Sequence, residues 1–375
     1  MLINMLGITN SGGIEVADKM LTELSKDTSS VYVIITDYNM NILKLINKYQ
    51  NIKNFEFKIQ KYKSPIYRLY YENVIFRKII KEYSLRLIYN FSGSYQFFFK
   101  IPQITKIHNL IFYSKKLDAA YRKNSQLILW ARQVYLKRLI FKFMLSKSKH
   151  VEIQSKHVKS CLLDFINTRE RFFYVKSDIN VSNIEFYKPK QYNFSKKIKF
   201  LYIVGPHFEY MHKNFMDFTN AMLGLNKKKV DFEINITLTN GQLNNSKVWD
   251  ASLNLKTNFL GYISDQEKMT ELFCDNTILI STSIIETLGL HVIEGIKNGI
   301  ITISPDEGYS NSVYGDNMFT YDLFNKNSLL DTISSIVNYE KPYDVRISSI
   351  QDDLKQSEMK KIGSIIDVFN EVLNV

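Results

Sequence analysis

Residues 277–303 read TILISTSIIETLGLHVIEGIKNGIITI, and this stretch sets the architecture. Thr277–Ser281 is a short β-branched run with the length and composition of a buried strand. Gly299–Ser304 is a second such run, and the segment between them has helix length. A strand, a helix and a strand in this order predict a parallel, doubly wound sheet. Two acids, Glu286 and Glu294, bracket the strand-to-helix turn, with Gly289 near the helix start. Aligned peptide dipoles and unsatisfied amides make a helix N-terminus an anion site. A ligand with an anionic middle and hydroxyls at both ends suits such a turn, and a nucleotide sugar has that layout.

The same alternation extends outward in both directions. Upstream runs are Leu2–Thr9, Val31–Thr36, Phe55–Ile59, Leu85–Phe91, Ile104–Leu110, His150–Ser155 and Phe172–Lys176. The pattern restarts near residue 199 with Lys199–Gly205, Phe232–Thr239 and Asn258–Ile263, and closes with Met318–Tyr321. Thirteen runs exceed one comfortable sheet, and 375 residues exceed one ordinary core. The expectation is an α/β chain with a first domain over 1–184, a linker over 185–197, a second domain over 198–355 and a last helix over 356–375. The linker carries Pro189 and four lysines without a sustained period.

Composition narrows the function classes. Hydrophobic content of 45% and charged content of 23% are those of a globular chain. Cys161 and Cys274 have neither a close partner nor a paired spacing, which argues against a disulfide scaffold or a zinc site. No run of 18 apolar residues is present, and MLINMLGITNSGG reads as a first strand running into a glycine turn, not as a signal peptide. A cytoplasmic protein is expected. Net charge is +12, unevenly spread: residues 1–190 hold 32 Lys and Arg against 14 acids, and 191–375 hold 17 against 23. A basic half predicts an anionic partner, either a membrane surface or nucleic acid. In Ile66–Tyr83, Phe76, Ile79, Ile80 and Tyr83 recur at helical spacing; in Trp130–Leu145, Leu136, Leu139, Ile140, Phe143 and Met144 do so. Arg and Lys flank both stripes, as in helices that lie on an anionic leaflet. No recognised nucleic-acid-binding motif is present, so the membrane is favoured over nucleic acid.

Glu286, seven residues, then Glu294 and Gly299 resembles the E-x7-E signature of retaining GT-B glycosyltransferases of the group 1, or family 4, type. The family reads roughly E-S-F-G-L-P-x-x-E-A-M-A-x-G-x-P-V. Glu286, Gly289, Leu290, Glu294 and Gly299 match, whereas His291 replaces proline and Gly295 replaces alanine. Three further stretches fit in the family's order: Gly12-Gly13 after the first strand, His108 at a strand end, and Gly205 with Lys213-Asn214 opening the second domain. Pro206 stands where the family has an arginine.

The resemblance implies two Rossmann-like domains facing across a cleft, with the last helix crossing back to the first. It implies that Glu286 contacts the donor sugar, that the Gly289 and Leu290 amides, Gly12, Gly13 and Lys213 meet the diphosphate, and that Glu294 holds the ribose hydroxyls. His108 would face the cleft as a further catalytic residue. Without the arginine, diphosphate binding would draw on His207 or His212. The implied activity is metal-independent sugar transfer, with no cofactor, from a UDP- or GDP-linked donor to a glycan or polyprenyl-diphosphate-linked acceptor. The implied setting is bacterial surface polysaccharide assembly on the inner face of the membrane. An epimerase-like GT-B enzyme of nucleotide sugars is the alternative.

Overall fold

A computed structural model describes residues 1–8, 11–61, 64–167, 170–179, 184–263, 265–338, 343–357 and 363–374. Thr9 of the expected first strand, residues 180–183 before the expected linker, and 358–362 within the expected last helix lie outside the described residues.

Each of the thirteen runs contains a strand. In the first sheet these are β1 Leu2–Asn4, β2 Tyr32–Asp37, β3 Phe55–Gln60, β4 Ile88–Asn90, β5 Gln103–Ile107, β6 His150–Ile153 and β7 Phe172–Val175. In the second they are β8 Ile198–Tyr202, β9 Phe232–Ile236, β10 Thr257–Phe259, β11 Thr277–Ile280, β12 Ile301–Pro305 and β13 Phe319–Tyr321. The orders are β3-β2-β1-β4-β5-β6-β7 and β10-β9-β8-β11-β12-β13. Every pairing is parallel, with Ile3 opposite Ile34 and Leu279 opposite Thr302. Strand order reverses beside the first strand of each sheet, the Rossmann-like pattern whose switch point and carboxyl edge hold ligands.

The chain forms two compact units, 1–113 with 131–179 and 361–375, and 114–130 with 180–360. In the first, alternate residues of β1 and β2 serve two cores. Ile3, Tyr32 and Ile34 pack with helices Ser11–Leu24, Met40–Tyr49 and Ile365–Asn374; Leu2, Val33 and Ile35 pack with Phe76 and Ile79. The helix Ile365–Asn374 belongs to this unit through Phe369, fully buried with its ring 5.2 Å from that of Tyr89. Burying such a side chain contributes about 2–3 kcal/mol.

In the second unit, Leu201, Phe273, Leu279 and Ile300 form one core cluster. Residues of the expected linker run along it: the backbone N–H groups of Tyr187 and Lys190 donate to the carbonyls of Lys297 and Gly299, each at 2.8 Å. Gly299 has φ +70, and a Cβ there would meet the Lys188 carbonyl oxygen at 2.5 Å, so a side chain would dislodge that strap.

Candidate active site

The most developed polar arrangement in the second unit begins where β11 ends. Residues 281–285 leave the sheet as buried backbone whose polar groups are pinned from neighbouring elements. Thr282 Oγ1 donates to the Lys213 carbonyl at 2.7 Å and lies 2.6 Å from the Tyr202 hydroxyl. The Ile284 N–H donates to the His212 carbonyl at 2.8 Å. Tyr309 Oη donates to the Ser283 carbonyl at 2.7 Å, and Tyr314 Oη to that of Leu288 at 2.8 Å. These bonds satisfy backbone groups that a buried loop would otherwise leave unpaired. They also bring the turn Met211–Lys213 against the loop before helix Leu290–Lys297.

That junction places Lys213 Nζ 2.7 Å from Glu286 Oε1, with both side chains partly exposed. Burial opposes ionisation of Glu286, but Lys213, with hydrogen bonds from Lys213 and Ser283, overrides it and draws the carboxyl down to about 2. Glu286 is therefore an anion at neutral pH. Gly289 caps the following helix with φ +60 and no side-chain cap. A Cβ at Gly289 would sit 2.0 Å from Tyr314 Oη, so both the backbone conformation and the space demand glycine.

His291, in the first turn, places Nε2 2.9 Å from Ser281 Oγ. Burial draws it down to about 4, and His212 likewise to about 4. Both are neutral at pH 7. His207 differs: it is exposed, with its ring stacked on Tyr210 at 4.9 Å between centroids. Glu294 lies one helical turn beyond Leu290, half-exposed and 3.3 Å from Lys297.

The other expected site residues belong to the first unit. Gly12 and Gly13 lie in the opening turn of helix Ser11–Leu24, after β1; Gly12 is exposed and a Cβ there would touch nothing within 4 Å. His108 follows β5, two strands away in the same sheet. Its ring lies 4.6 Å from that of Phe91, and its Nδ1 is 3.8 Å from Asp178 Oδ2. Burial, reinforced by Lys106, pulls His108 down to about 3. It can exchange hydrogen bonds but is not a cation at neutral pH.

Beside it lies a group that the sequence did not single out. Lys106 is buried 2.8 Å from Glu152 and bonded to Asp178; Gln154 also bonds Asp178, and Tyr89 Oη donates to Glu152 at 2.9 Å. The partners come from separate strand ends, so no local spacing announces them. Tyr309 and Tyr314, which brace the Glu286 loop, were equally invisible.

No protein-family model matches the sequence, and no curated protein matches it. Solved structures do match over nearly the full length. A glycosyltransferase from Rickettsia africae ESF-5 aligns with a TM-score of 0.65 at 15% identity, over 99% of this chain and 98% of that one. HepE from Anabaena, in complex with UDP and glucose, gives 0.63 at 12%, over 99% and 100%. WaaG, a glycosyltransferase involved in lipopolysaccharide biosynthesis, gives 0.64 at 9%, over 99% of both chains. The chain has a GT-B fold. The GT-B likeness covers both units. At identities of 9–15% it speaks for the backbone and leaves the chemistry to the side chains.

Proposed function

We propose that the protein is a retaining glycosyltransferase that moves a sugar from a UDP- or GDP-linked donor to a glycan or polyprenyl-diphosphate-linked glycan. The observation that carries this reading is the Lys213–Glu286 pair beside the Gly289–Leu290 turn. The donor diphosphate would take Lys213 and the turn's amides. Glu286, released from Lys213, would accept hydrogen bonds from the sugar hydroxyls, and Glu294 from the ribose diol. HepE, with its bound UDP and glucose, supports a nucleotide-sugar donor.

In this reading the bond from the anomeric carbon to the phosphate oxygen breaks, and its electron pair leaves with the diphosphate. The acceptor hydroxyl attacks from the same face, and its proton passes to the departing phosphate. Lys213 and fixed amides meet the charge that develops, each contributing about 3 kcal/mol by analogy with oxyanion-hole donors. That charge supply is why the proposal calls for neither metal nor cofactor. Gly12, Gly13 and neutral His108 are the first unit's own candidates for ligand contact, carried over from the family resemblance.

His212 is the weaker substitute for the arginine that Pro206 displaces, because burial draws it down to about 4. Exposed His207 would take that role by donating a ring N–H to a phosphate oxygen. The acceptor belongs to the basic first unit, and the setting is surface polysaccharide assembly at the inner face of the membrane, in line with WaaG. Among the described residues no helix is long and apolar enough to cross a membrane.

The test is Glu286→Gln. Transfer from the matching nucleotide sugar is expected to fall at least about 100-fold, as when one transition-state contact is removed, with the melting temperature nearly unchanged. Undiminished transfer sinks the proposal. A panel of UDP-, GDP- and ADP-sugars identifies the donor by the melting shift each produces.

A further inference from the structure

The first unit carries an apolar surface that its own cores do not use. Along residues 65–82, Tyr71, Phe76 and Ile79 are buried under the sheet. Thus the stripe through Phe76 and Ile79, which the sequence suggested for membrane contact, is core. The opposite side stays in solvent: Ile66, Leu69, Tyr70 and Val74 are exposed, at three- and four-residue steps. Helix Leu136–Lys147 also turns Leu136, Leu139, Ile140 and Phe143 outward, and buries only Arg138 and Leu145.

A loop joins the two faces. Phe97 stacks on Phe143 with centroids 5.5 Å apart, and its N–H donates to Asn73 Oδ1 at 2.7 Å. The Arg77 guanidinium lies 6.0 Å from the Phe98 ring and 5.5 Å from that of Phe99. Phe98 forms the tip of this loop. It is 88% exposed, in a left-handed conformation at φ +67 that a bulky L-residue adopts only under strain. Apart from the Arg77 guanidinium and the neighbouring Phe97 ring, 6.4 Å away between centroids, the Phe98 ring projects into solvent.

Charge identifies the occupant. Over residues 65–82, 95–100 and 131–147, eight exposed Lys and Arg side chains face one exposed acid, Glu82. A second copy of the chain would present the same positive face and be repelled. A nucleic acid would match the charge and leave the Leu, Ile and Phe side chains in water. An anionic bilayer satisfies both, with headgroups for the cations and the acyl boundary for the apolar side chains.

We propose that this face docks the protein on an anionic lipid bilayer, with Phe98 inserted at the acyl boundary and the two helices lying in the interface plane. The proposal rests on the glycosyltransferase reading only for its purpose, which is to bring the active site to a lipid-linked acceptor. Binding itself needs neither donor nor acceptor.

Full-length protein sedimented with vesicles is the experiment. It is expected to pellet with vesicles containing phosphatidylglycerol and to stay in solution with phosphatidylcholine alone. Phe98→Asp combined with Ile140→Asp should lower the bound fraction about tenfold. Leu255→Asp, at a fully exposed leucine of the second unit, should change nothing. Unaltered melting temperatures establish that the variants fold, and Phe98→Trp should retain binding. Equal pelleting of the double variant and the parent overturns the proposal. So does a dimer in sedimentation velocity that the double variant dissolves, or binding of RNA in place of vesicles. A Glu286→Gln protein that pellets normally and transfers nothing separates this proposal from the enzymatic one.

Discussion

A lysine–carboxylate group stands near the carboxyl edge of each sheet, and the two groups differ in depth. Lys213 and Glu286 keep side-chain exposures of 27% and 18%, whereas Lys106, Glu152 and Asp178 keep 2%, 0% and 4%. A partly exposed pair can exchange its partner for a ligand anion, because water and ligand both reach it. A fully buried group cannot do so without stranding a charge in a low dielectric. The shallow pair is therefore read as chemistry and the deep group, one lysine between two carboxylates, as construction.

Removing one lysine from each group tests that distinction most strongly. Lys106→Met leaves two buried carboxylates without their cation and is expected to cost about 3–5 kcal/mol of stability. Lys213→Met leaves one partly buried carboxylate that water can reach, and is expected to cost less, about 1–3 kcal/mol, while lowering transfer by about two orders of magnitude. Urea unfolding followed by an activity assay on both variants gives the comparison. Equal destabilisation would erase it.

The sequence revealed these two groups unequally, and for physical reasons. All thirteen strands were visible, most of them because parallel strands buried on both faces read as apolar runs; β2 and β11 are buried at every position. Lys213 and Glu286 were each recognisable from a motif, but their contact was not, since 73 residues separate them. Lys106 is a single lysine inside a strand, and nothing in its neighbourhood points to Glu152 or Asp178. The stripe through Phe76 and Ile79 was misread because helical spacing marks an apolar face without saying whether that face meets the sheet or the solvent.

The histidines extend the contrast to pH. Their folded values lie at about 3 for His108 and about 4 for His212 and His291, below the unfolded value of about 6.5. A depressed folded value means that the unfolded chain binds the proton first. The stability these groups contribute is present above about pH 6.5 and falls as pH drops towards their folded values, by up to about 1.4 kcal/mol per histidine per pH unit. Glu286 adds to the loss only from about pH 4.5 down to about 2. Unfolding free energy should thus begin to decline below about pH 6.5, offset in part by Asp217, whose carboxyl burial raises to about 6 and which gains stability as it protonates. A flat profile down to pH 5 would mean that the histidines are not held neutral. Replacing His291 by Gln should remove its share of the decline and leave those of His212 and His108.

The smallest effect probes how firmly the turn beside Glu286 is braced. Tyr314→Phe removes one hydrogen bond to the Leu288 carbonyl and should cost about 1 kcal/mol. Gly289→Ala should cost more, because it combines the left-handed backbone with a Cβ 2.0 Å from Tyr314 Oη. Once the hydroxyl is gone, the nearest ring atom is Tyr314 Cζ at 3.4 Å, a contact that small shifts can absorb. The double variant should therefore lose less than the sum of the single losses, by about 1 kcal/mol, with the φ +60 strain remaining. Strict additivity in the unfolding free energies would mean that the tyrosine and the glycine do not share one site. The turn beside Glu286 would then lack the rigid backing its chemistry requires.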